Sequence, residues 1–540
     1  MVQITIMYNV DVIVSFSYSK ELVDKIKQLP VRVWNPEEKV WWFPKIYLDM
    51  FLESLNGIPY IIKEVKTERK EPSIETFRFK TKPFDHQLKG LQFGKDHDRF
   101  LLGDEQGLGK TKQAIDLAEY KRIDYGYKHT LIICGVKTLT YNWLKEIETH
   151  SYNKGVILGS SKGGNKEKLK DLNRINELPY FIITNIETLR NKEILKTLKK
   201  LIESKEIGMI VFDEFHKVKN PESQQGKALL QLKPFTRLAM TGTPLMNSPL
   251  DLYSVLNWLD IEHHNFYQFK NHYCELGKFK EVVGYKNLHE LTTILERIML
   301  RRRKQDVLDL PPKIYTTEYV EMSDEQESIY QEVRTQIIQN IDKILLSRNP
   351  LTELIRLRQA TGFTGILSEQ IRVSAKFDRT FDILEDVVAN GGKAVVFSQW
   401  TQVIDPLYSV LKQEGYNPAI ITGDIKDREA EQNKFLNDKS CKVLVGTIAS
   451  MGTGLTLTAA NTVIFLDSPW NKALKEQAED RCHRIGTTGT VNIITLVCKD
   501  TIDESIEDVV YLKGKLSDAI VDGEIKTTDR KGLLKTLLSL

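Results

Sequence analysis

Asp104-Glu-Gln-Gly-Leu-Gly-Lys-Thr111 decides the fold of this chain. An apolar run ending at Phe100-Leu-Leu102 leads into it. Lys110-Thr-Lys-Gln-Ala-Ile-Asp-Leu-Ala-Glu-Tyr120 leads out, with Ala114, Ile115 and Ala118 at helical spacing. Strand, glycine turn and helix in that order point a helix N-terminus, with its partial positive charge, at an anion. Gly107 and Gly109 free the backbone so that N–H groups approach phosphate oxygens. Lys110 then reaches the β- and γ-phosphates, and Thr111 offers a hydroxyl to Mg²⁺. Asp104 stands where the strict phosphate-loop pattern has glycine; it is read here as part of the nucleotide-binding loop.

A second motif follows in Gly208-Met-Ile-Val-Phe-Asp-Glu-Phe-His216, a buried-strand pattern ending in two carboxylates. Such a strand is apolar throughout because both faces of a parallel sheet are covered. Asp213 is placed to hold the magnesium shell and Glu214 to orient and deprotonate the attacking water. Alone, the pattern reads more simply as a strand capped by a solvated acidic turn; the cradle upstream reverses that balance. In Gln477-Ala-Glu-Asp-Arg-Cys-His-Arg484 the arginines are at i and i+3, on one helical face. A solvated basic face fits the spacing equally well. However, Val443–Thr447 and Thr462–Asp467 precede it as further buried-strand runs, so the chain is expected to hold two α/β lobes. Arg481 and Arg484 then act as arginine fingers toward a γ-phosphate.

Taken in order, Asp104–Thr111, Asp213–His216, Met240-Thr-Gly-Thr-Pro244, Val395–Trp400, Gly452-Thr-Gly-Leu-Thr456, Ser468-Pro-Trp-Asn471 and Gln477–Gly486 resemble the motifs of the Swi/Snf-type superfamily 2 ATPases. Phe84-Asp-His-Gln87 is similar to that family's adenine-contacting element, with Gln87 as the contact. Met299–Lys304 and Leu310-Pro-Pro-Lys313 resemble its inter-lobe segment. The likeness spans roughly residues 75–515 and implies two RecA-like parallel-sheet lobes with helical protrusions, preceded here by a small α+β domain. It also implies ATP and Mg²⁺ as cofactors, Gly454 in a nucleotide-side turn, and Thr241, Thr243, Thr184, Trp470, Asn471 and Gln477 in coupling or DNA contact. Phe215 departs from the usual small residue, Thr487 from the usual glutamine, and Gly452-Thr-Gly454 is a variant turn. None of the three removes a catalytic group.

Composition sets the outer bounds. A chain of 540 residues exceeds one ordinary core. Hydrophobic and charged contents of 41% and 28% are those of a globular protein. No apolar run approaches the ~20 residues of a membrane span, and no secretory leader is visible. Five cysteines without paired spacing point to a reducing compartment, and with no targeting signal visible a cytoplasmic setting of bacterial or phage type is the expectation. Net charge of +3 argues little for nucleic acid, so any DNA contact rests on local patches. Arg301–Lys304 and Lys162–Lys170 are candidates, although each alone reads better as a solvated face. His263, His264, His272 and Cys274 lie close together but lack the ligand spacing of structural zinc.

Three domains are expected: residues 1–70, 71–312 and 313–540. In the first, Thr5–Phe16 alternates as a strand, Ser19–Leu29 is a capped helix, and Val31–Trp34 and Val40–Phe43 form a hairpin. Tyr47–Leu55 is a second helix and Tyr60–Val65 a last strand. This βαββαβ unit resembles the HARP domain of annealing helicases in Tyr18–Leu22 and in Trp34-Asn-Pro36 with Trp41–Pro44. A small docking module with core tryptophans is the competing reading. Lobe 1 strands are expected at Phe100–Leu102, Leu131–Cys134, Phe181–Thr184, Met209–Phe212 and Arg237–Met240. Helices are expected at Leu250–Leu259, Phe266–Cys274, Leu288–Leu300, Glu325–Leu346 and Leu351–Ala360, with a C-terminal brace at Ile502–Leu512. The functional expectation is a monomeric ATPase translocating on double-stranded DNA, with remodelling or annealing of branched DNA as the finer reading. A strand-separating helicase and a non-enzymatic scaffold on a decayed motor are the alternatives.

Overall fold

The computed structural model describes residues 2–507 apart from 8–10, 30–31, 37, 66–73, 75–76, 138, 160–163, 245–247, 263, 278–279, 281, 340–350, 452–454, 485 and 488. It divides into two compact units, one running to Arg303 and the other beginning at Lys304. Residues 304–312, assigned to the first lobe from sequence, therefore go with the second.

The first unit is built on a parallel sheet. Its strand order is Met299–Leu300, Arg99–Leu102, Thr236–Met240, Ile207–Asp213, His129–Cys134, Phe181–Asn185 and Gly155–Ile157. Ile207–Asp213 is buried along its whole length, as the continuous apolar run requires. Parallel pairing brings Asp213 level with Cys134 and Met240, so the loops after three neighbouring strands open on one edge. That edge is where ligands bind in open α/β sheets. Ala114, Ile115, Leu117 and Ala118 of the helix Lys110–Tyr125 pack on the core formed by Phe100, Ile132 and Val211. The helix expected over Leu288–Leu300 stops at Ile298, because Met299 and Leu300 extend to pair with Leu101 and Leu102.

Residues 2–65 form a second sheet in the same unit, with strand order Val33–Asn35, Val40–Pro44, Asp11–Ser15, Val2–Met7, Tyr60–Val65. The strand expected over Thr5–Phe16 is instead an antiparallel hairpin, with Ile4 opposite Val14 and Ile6 opposite Val12. Alternation continues through a reversal that keeps Ile4, Ile6, Val12 and Val14 on one face, so periodicity alone conceals it. Ser19 caps the helix Lys20–Lys27, whose Leu22 and Ile26 meet Phe43 and Phe51 in a small core. Arg99 joins this domain to the large sheet, bridging Asp11 at 3.7 Å and Asp260 at 3.1 Å.

The second unit carries the order Lys313–Val320, Val491–Cys498, Thr462–Phe465, Ala394–Ser398, Val443–Thr447, Ala419–Ile421, again all parallel. The helices Asp324–Gln339 and Leu351–Gly362 precede its central strands. Residues 502–507 are helical, and Ile502 and Ile506 pack with Tyr330, Val333 and Leu357. The remainder of the expected brace, and residues 340–346 of the expected helix, lie outside the described residues.

Candidate functional site

The loop after strand Arg99–Leu102 has the backbone that its glycines allow. Gly107 and Gly109 have φ of 85° and 70°, the left-handed region that a side chain resists. A Cβ at Gly109 would also come within 2.4 Å of Gln87 Nε2, so bare backbone is needed for the segment Phe84–Gln87 to close on the loop. Gln87 Oε1 accepts from the Phe84 N–H at 3.0 Å, and His86 Nε2 meets the Leu108 carbonyl at 3.0 Å. The element Phe84–Gln87 is thus fastened to the loop through His86, while Gln87 folds back on Phe84 at the start of its own helix. Lys110, the first residue of its helix, donates to the carbonyls of Asp104 at 2.8 Å and Glu105 at 3.1 Å. Thr111 follows it on the first turn.

Asp104 is fully buried, and a bare carboxylate would repel phosphate. Arg302 resolves both problems. Its Nε donates to Asp104 Oδ1 at 2.9 Å and its Nη2 to Oδ2, a two-point pairing, while Gln113 Nε2 donates to Oδ2 at 3.0 Å. The Asp104 side chain is therefore committed to shaping the loop from behind. The basic run 301–304 is neither a solvated face nor a DNA-facing patch at this residue.

At the end of the central strand, Asp213 Oδ2 accepts from the Trp143 indole N–H at 2.9 Å and Oδ1 from the Glu214 N–H at 2.9 Å. Burial and the neighbouring Glu214 charge raise the Asp213 pKa, while Trp143 and Lys110 oppose that shift. Glu214 has φ of 56°, a conformation that costs a non-glycine residue ~1–2 kcal/mol. Strain of this kind collects where a site dictates side-chain direction. His216 Nδ1 lies 3.2 Å from both Glu214 Oε2 and Thr241 Oγ1, and Thr243 N–H donates to Thr241 Oγ1 at 3.1 Å. The carboxylate motif is thereby linked to the loop after Thr236–Met240. Phe215 packs against Phe212 and Trp258, with ring centroids 5.0 and 5.4 Å away, so the bulky residue fills core space.

In the second unit the helix Lys472–Glu479 is capped by Asn471, whose side chain accepts from Ala473 N–H at 2.8 Å. Gln477 and Arg481 are buried, and Arg484 Nη1 donates to Thr456 Oγ1 at 2.9 Å. Thr487, the departure from glutamine, closes the turn: its hydroxyl donates to Cys482 O at 2.9 Å and accepts from Arg484 N–H at 3.1 Å. Trp470 faces the guanidinium of Arg358, 5.2 Å from the ring centroid, and Trp400 faces it at 4.9 Å. Arg358 also donates to Ser468 O, which fixes the loop before the helix Lys472–Glu479; that helix ends at Glu479, so Arg481 and Arg484, expected on one helical face, stand in the turn after it.

Other expected residues fall differently. Thr184 is buried, with its hydroxyl donating to Thr188 at 3.0 Å. Gly454 lies outside the described residues, as do residues 162–163 of the second basic patch; Lys168 of that patch donates to Thr188 at 2.6 Å. His264 meets Glu262 at 2.8 Å and His272 meets Glu290 at 2.6 Å, while His263 lies outside the described residues. Arg302, Lys304 and Lys313 entered the sequence reading only as members of a basic run and an inter-lobe segment, and Trp143 and Arg358 had no role of their own there. Only the folded chain shows their partners.

A helix opening on left-handed glycines, beside a buried Asp-Glu pair on the same sheet edge, is the construction of a phosphate-loop NTPase. The second parallel sheet with its arginine-bearing turn marks the two-lobed class of such proteins. The SNF2-related domain matches residues 69–364, and the helicase conserved C-terminal domain matches residues 375–486. The chain belongs to the SNF2-related family. It is 29% identical over 521 residues to an uncharacterized ATP-dependent helicase of Mycoplasma pneumoniae, covering 92% of this chain and 49% of that protein. ATP-dependent DNA helicase DDM1 of Arabidopsis thaliana is 29% identical over 482 residues, covering 81% of this chain and 61% of that one. A solved structure of the Sulfolobus solfataricus SWI2/SNF2 ATPase core in complex with dsDNA is 27% identical, with a TM-score of 0.40, over 86% of this chain and 98% of that chain. The chain spans about half the length of the curated relatives it matches.

Proposed function

We propose that this chain is a DNA-stimulated ATPase that translocates along duplex DNA. The observation that carries the reading is the path Glu214–His216–Thr241–Thr243, which connects the group that would activate water to a neighbouring strand-end loop. A simple phosphate-binding protein has no need of such a connection. The nucleotide phosphates would lie on the N–H groups of residues 107–111, with Lys110 leaving its carbonyl partners for phosphate oxygens. Glu214 takes the proton of the attacking water. Arg481 and Arg484, from the second lobe, neutralise charge developing on the γ-phosphate.

The donor set fits a magnesium ion carried by the nucleotide. Among the described residues no group of three or more His, Cys, Asp or Glu side chains forms a cage for a metal. Mg²⁺ commonly takes only one or two carboxylates together with phosphate oxygens. Asp213 and Thr111 would hold it, and when bound it neutralises the β- and γ-phosphate oxygens.

DNA as the track is supported by the family and by relatives named as DNA helicases. Phosphate contacts carry no base information, so stimulation should be independent of sequence. The finer reading is remodelling or annealing of branched DNA through residues 1–70. It draws support from exposed aromatic surface: Tyr18 is 87% exposed, and Trp34 is 44% exposed and packs on Trp41 with centroids 5.2 Å apart. Steady-state hydrolysis should be measured with duplex DNA, forked DNA, single-stranded DNA and RNA. The reading expects duplex or forked DNA to stimulate most; equal stimulation by RNA would overturn it.

A further inference from the structure

Arg302 belongs to the first unit and there touches three separate segments around the phosphate cradle. Its Nε and Nη2 take the two oxygens of Asp104, at the start of the cradle loop. Nη2 also donates to Gln113 Oε1 at 2.7 Å, on the helix Lys110–Tyr125 that leaves the loop. Nη1 donates to the carbonyl of His86, on the helix Asp85–Asp96 whose first turn carries Gln87. The three partners are joined to one another as well. Gln113 Nε2 donates to Asp104 Oδ2 at 3.0 Å and reaches Leu108 O at 3.4 Å, the same carbonyl that His86 Nε2 meets at 3.0 Å.

Burial and packing leave this network little freedom. Asp104, Gln113 and His86 are buried, and the Arg302 side chain is almost so. A Cβ at Gly90, on the helix that carries His86 and Gln87, would stand 2.0 Å from Gln113 Oε1. That oxygen cannot swing aside freely, because Arg302 holds it and Asp104 holds the other end of the same amide. Two of the interactions depend on different properties of Arg302. Neutralising a buried carboxylate needs a positive charge, and its loss is strongly disfavoured. Serving the Asp104, Gln113 and His86 acceptors together needs a planar fork, whereas lysine offers the same charge as a single point.

We propose that Arg302 is a positioning residue that couples base recognition to phosphate binding within the first unit. It acts through its partners. Its charge cancels that of Asp104 behind the cradle, which keeps the loop fit for an anion. Its fork anchors the His86 carbonyl and the Gln113 amide, which sets the first turn of the helix Asp85–Asp96, and with it Gln87, against the loop. The charge serves the phosphates and the fork serves the base. This rests on the ATPase reading above, with Gln87 as the adenine contact.

The test measures fluorescent ADP and fluorescent GDP affinities and the melting temperature of the full chain and its variants. Arg302→Lys keeps the charge and loses the fork. GDP affinity should then stay near wild type while ADP binds roughly tenfold more weakly, the scale of one hydrogen bond to a charged group. Arg302→Met should weaken both nucleotides, and adding Asp104→Asn should recover GDP affinity without restoring the preference for ADP. Gly90→Ala leaves every charge in place and displaces only Gln113, so it should lower the ADP preference by an independent route. A residue that merely supported the fold would change both affinities together and leave their ratio alone. A wild-type ratio in Arg302→Lys and Gly90→Ala, in chains that melt as wild type does, would overturn the proposal while sparing the ATPase reading. Wild-type protein that binds ADP and GDP equally would overturn the adenine contact and the proposal with it. Failure of the ATPase reading itself shows separately, as ADP binding without hydrolysis under any DNA condition.

Discussion

The indole N–H of Trp143 donates to Asp213 Oδ2 at 2.9 Å, with both side chains buried. Trp143 belongs to the helix Leu139–His150, after the strand neighbouring the one that ends in Asp213. A residue outside the acidic motif thus fixes the rotation of the carboxylate expected to hold magnesium. Groups behind a metal ligand commonly orient it and tune its affinity.

Trp143→Phe keeps the ring packing and deletes only the N–H. A hydrogen bond to a charged group is worth about 1.5–3 kcal/mol, so roughly ten- to hundredfold weaker magnesium-dependent nucleotide binding is expected. The check is fluorescent ADP affinity titrated against Mg²⁺, with affinity in EDTA as the control. A midpoint equal to wild type would reduce the bond to packing.

Asp260 gives the first unit an acid-sensitive joint. It receives Arg237, Arg99 at 3.1 Å and Lys233 at 2.6 Å, and Arg99 also reaches Asp11. Burial works to raise its pKa, but Arg237, Arg99 and Lys233 together hold it well below the usual carboxylate range. With the folded value depressed, the stabilisation is complete above the unfolded carboxylate pKa and is lost as pH falls through and below ~4. Asp260→Asn should therefore cost on the order of 2 kcal/mol at pH 7, less than a fully buried pair because Asp260 is 19% exposed. Thermal melts from pH 7 to pH 3 should show the gap from wild type closing with acidification. A gap of constant size would contradict the charge argument.

The amino-terminal sheet is fastened through the same joint, so Lys39→Glu and Lys45→Glu probe its role more cleanly than deletion. If residues 1–70 grip branched DNA, either substitution should weaken forked-DNA remodelling or strand annealing while duplex-stimulated hydrolysis stays near normal. The binding defect should shrink at high salt, as phosphate contacts do. Annealing at the wild-type rate in both variants would leave the domain a structural appendage.

Motifs with a fixed local geometry were legible in the sequence. The cradle needs glycines at left-handed positions and a helix after them, and Gly107, Gly109 and Lys110 show both. The all-apolar run before Asp213 showed a doubly covered strand, which the sheet contains. What escaped notice depends on partners far apart in the chain. Nothing near Arg302 signals Asp104, nor anything near Lys304 Asp480, and a basic run looks the same whether it faces solvent, phosphate or a buried carboxylate. The hairpin Val2–Met7 with Asp11–Ser15 was hidden for another reason: its two arms continue one alternation.

The central claim is that Glu214, held in an unfavourable backbone conformation beside His216 and Thr241, drives a DNA-stimulated hydrolysis. Its most direct test is ATP turnover by Glu214→Gln and wild type, with and without duplex DNA. Nucleotide binding, measured in parallel, should be unaffected because the cradle and Asp213 are untouched. Wild-type hydrolysis should rise with duplex, and the variant should fall at least ~10²-fold below it in either condition. Near-wild-type, DNA-stimulated turnover by Glu214→Gln would contradict the account.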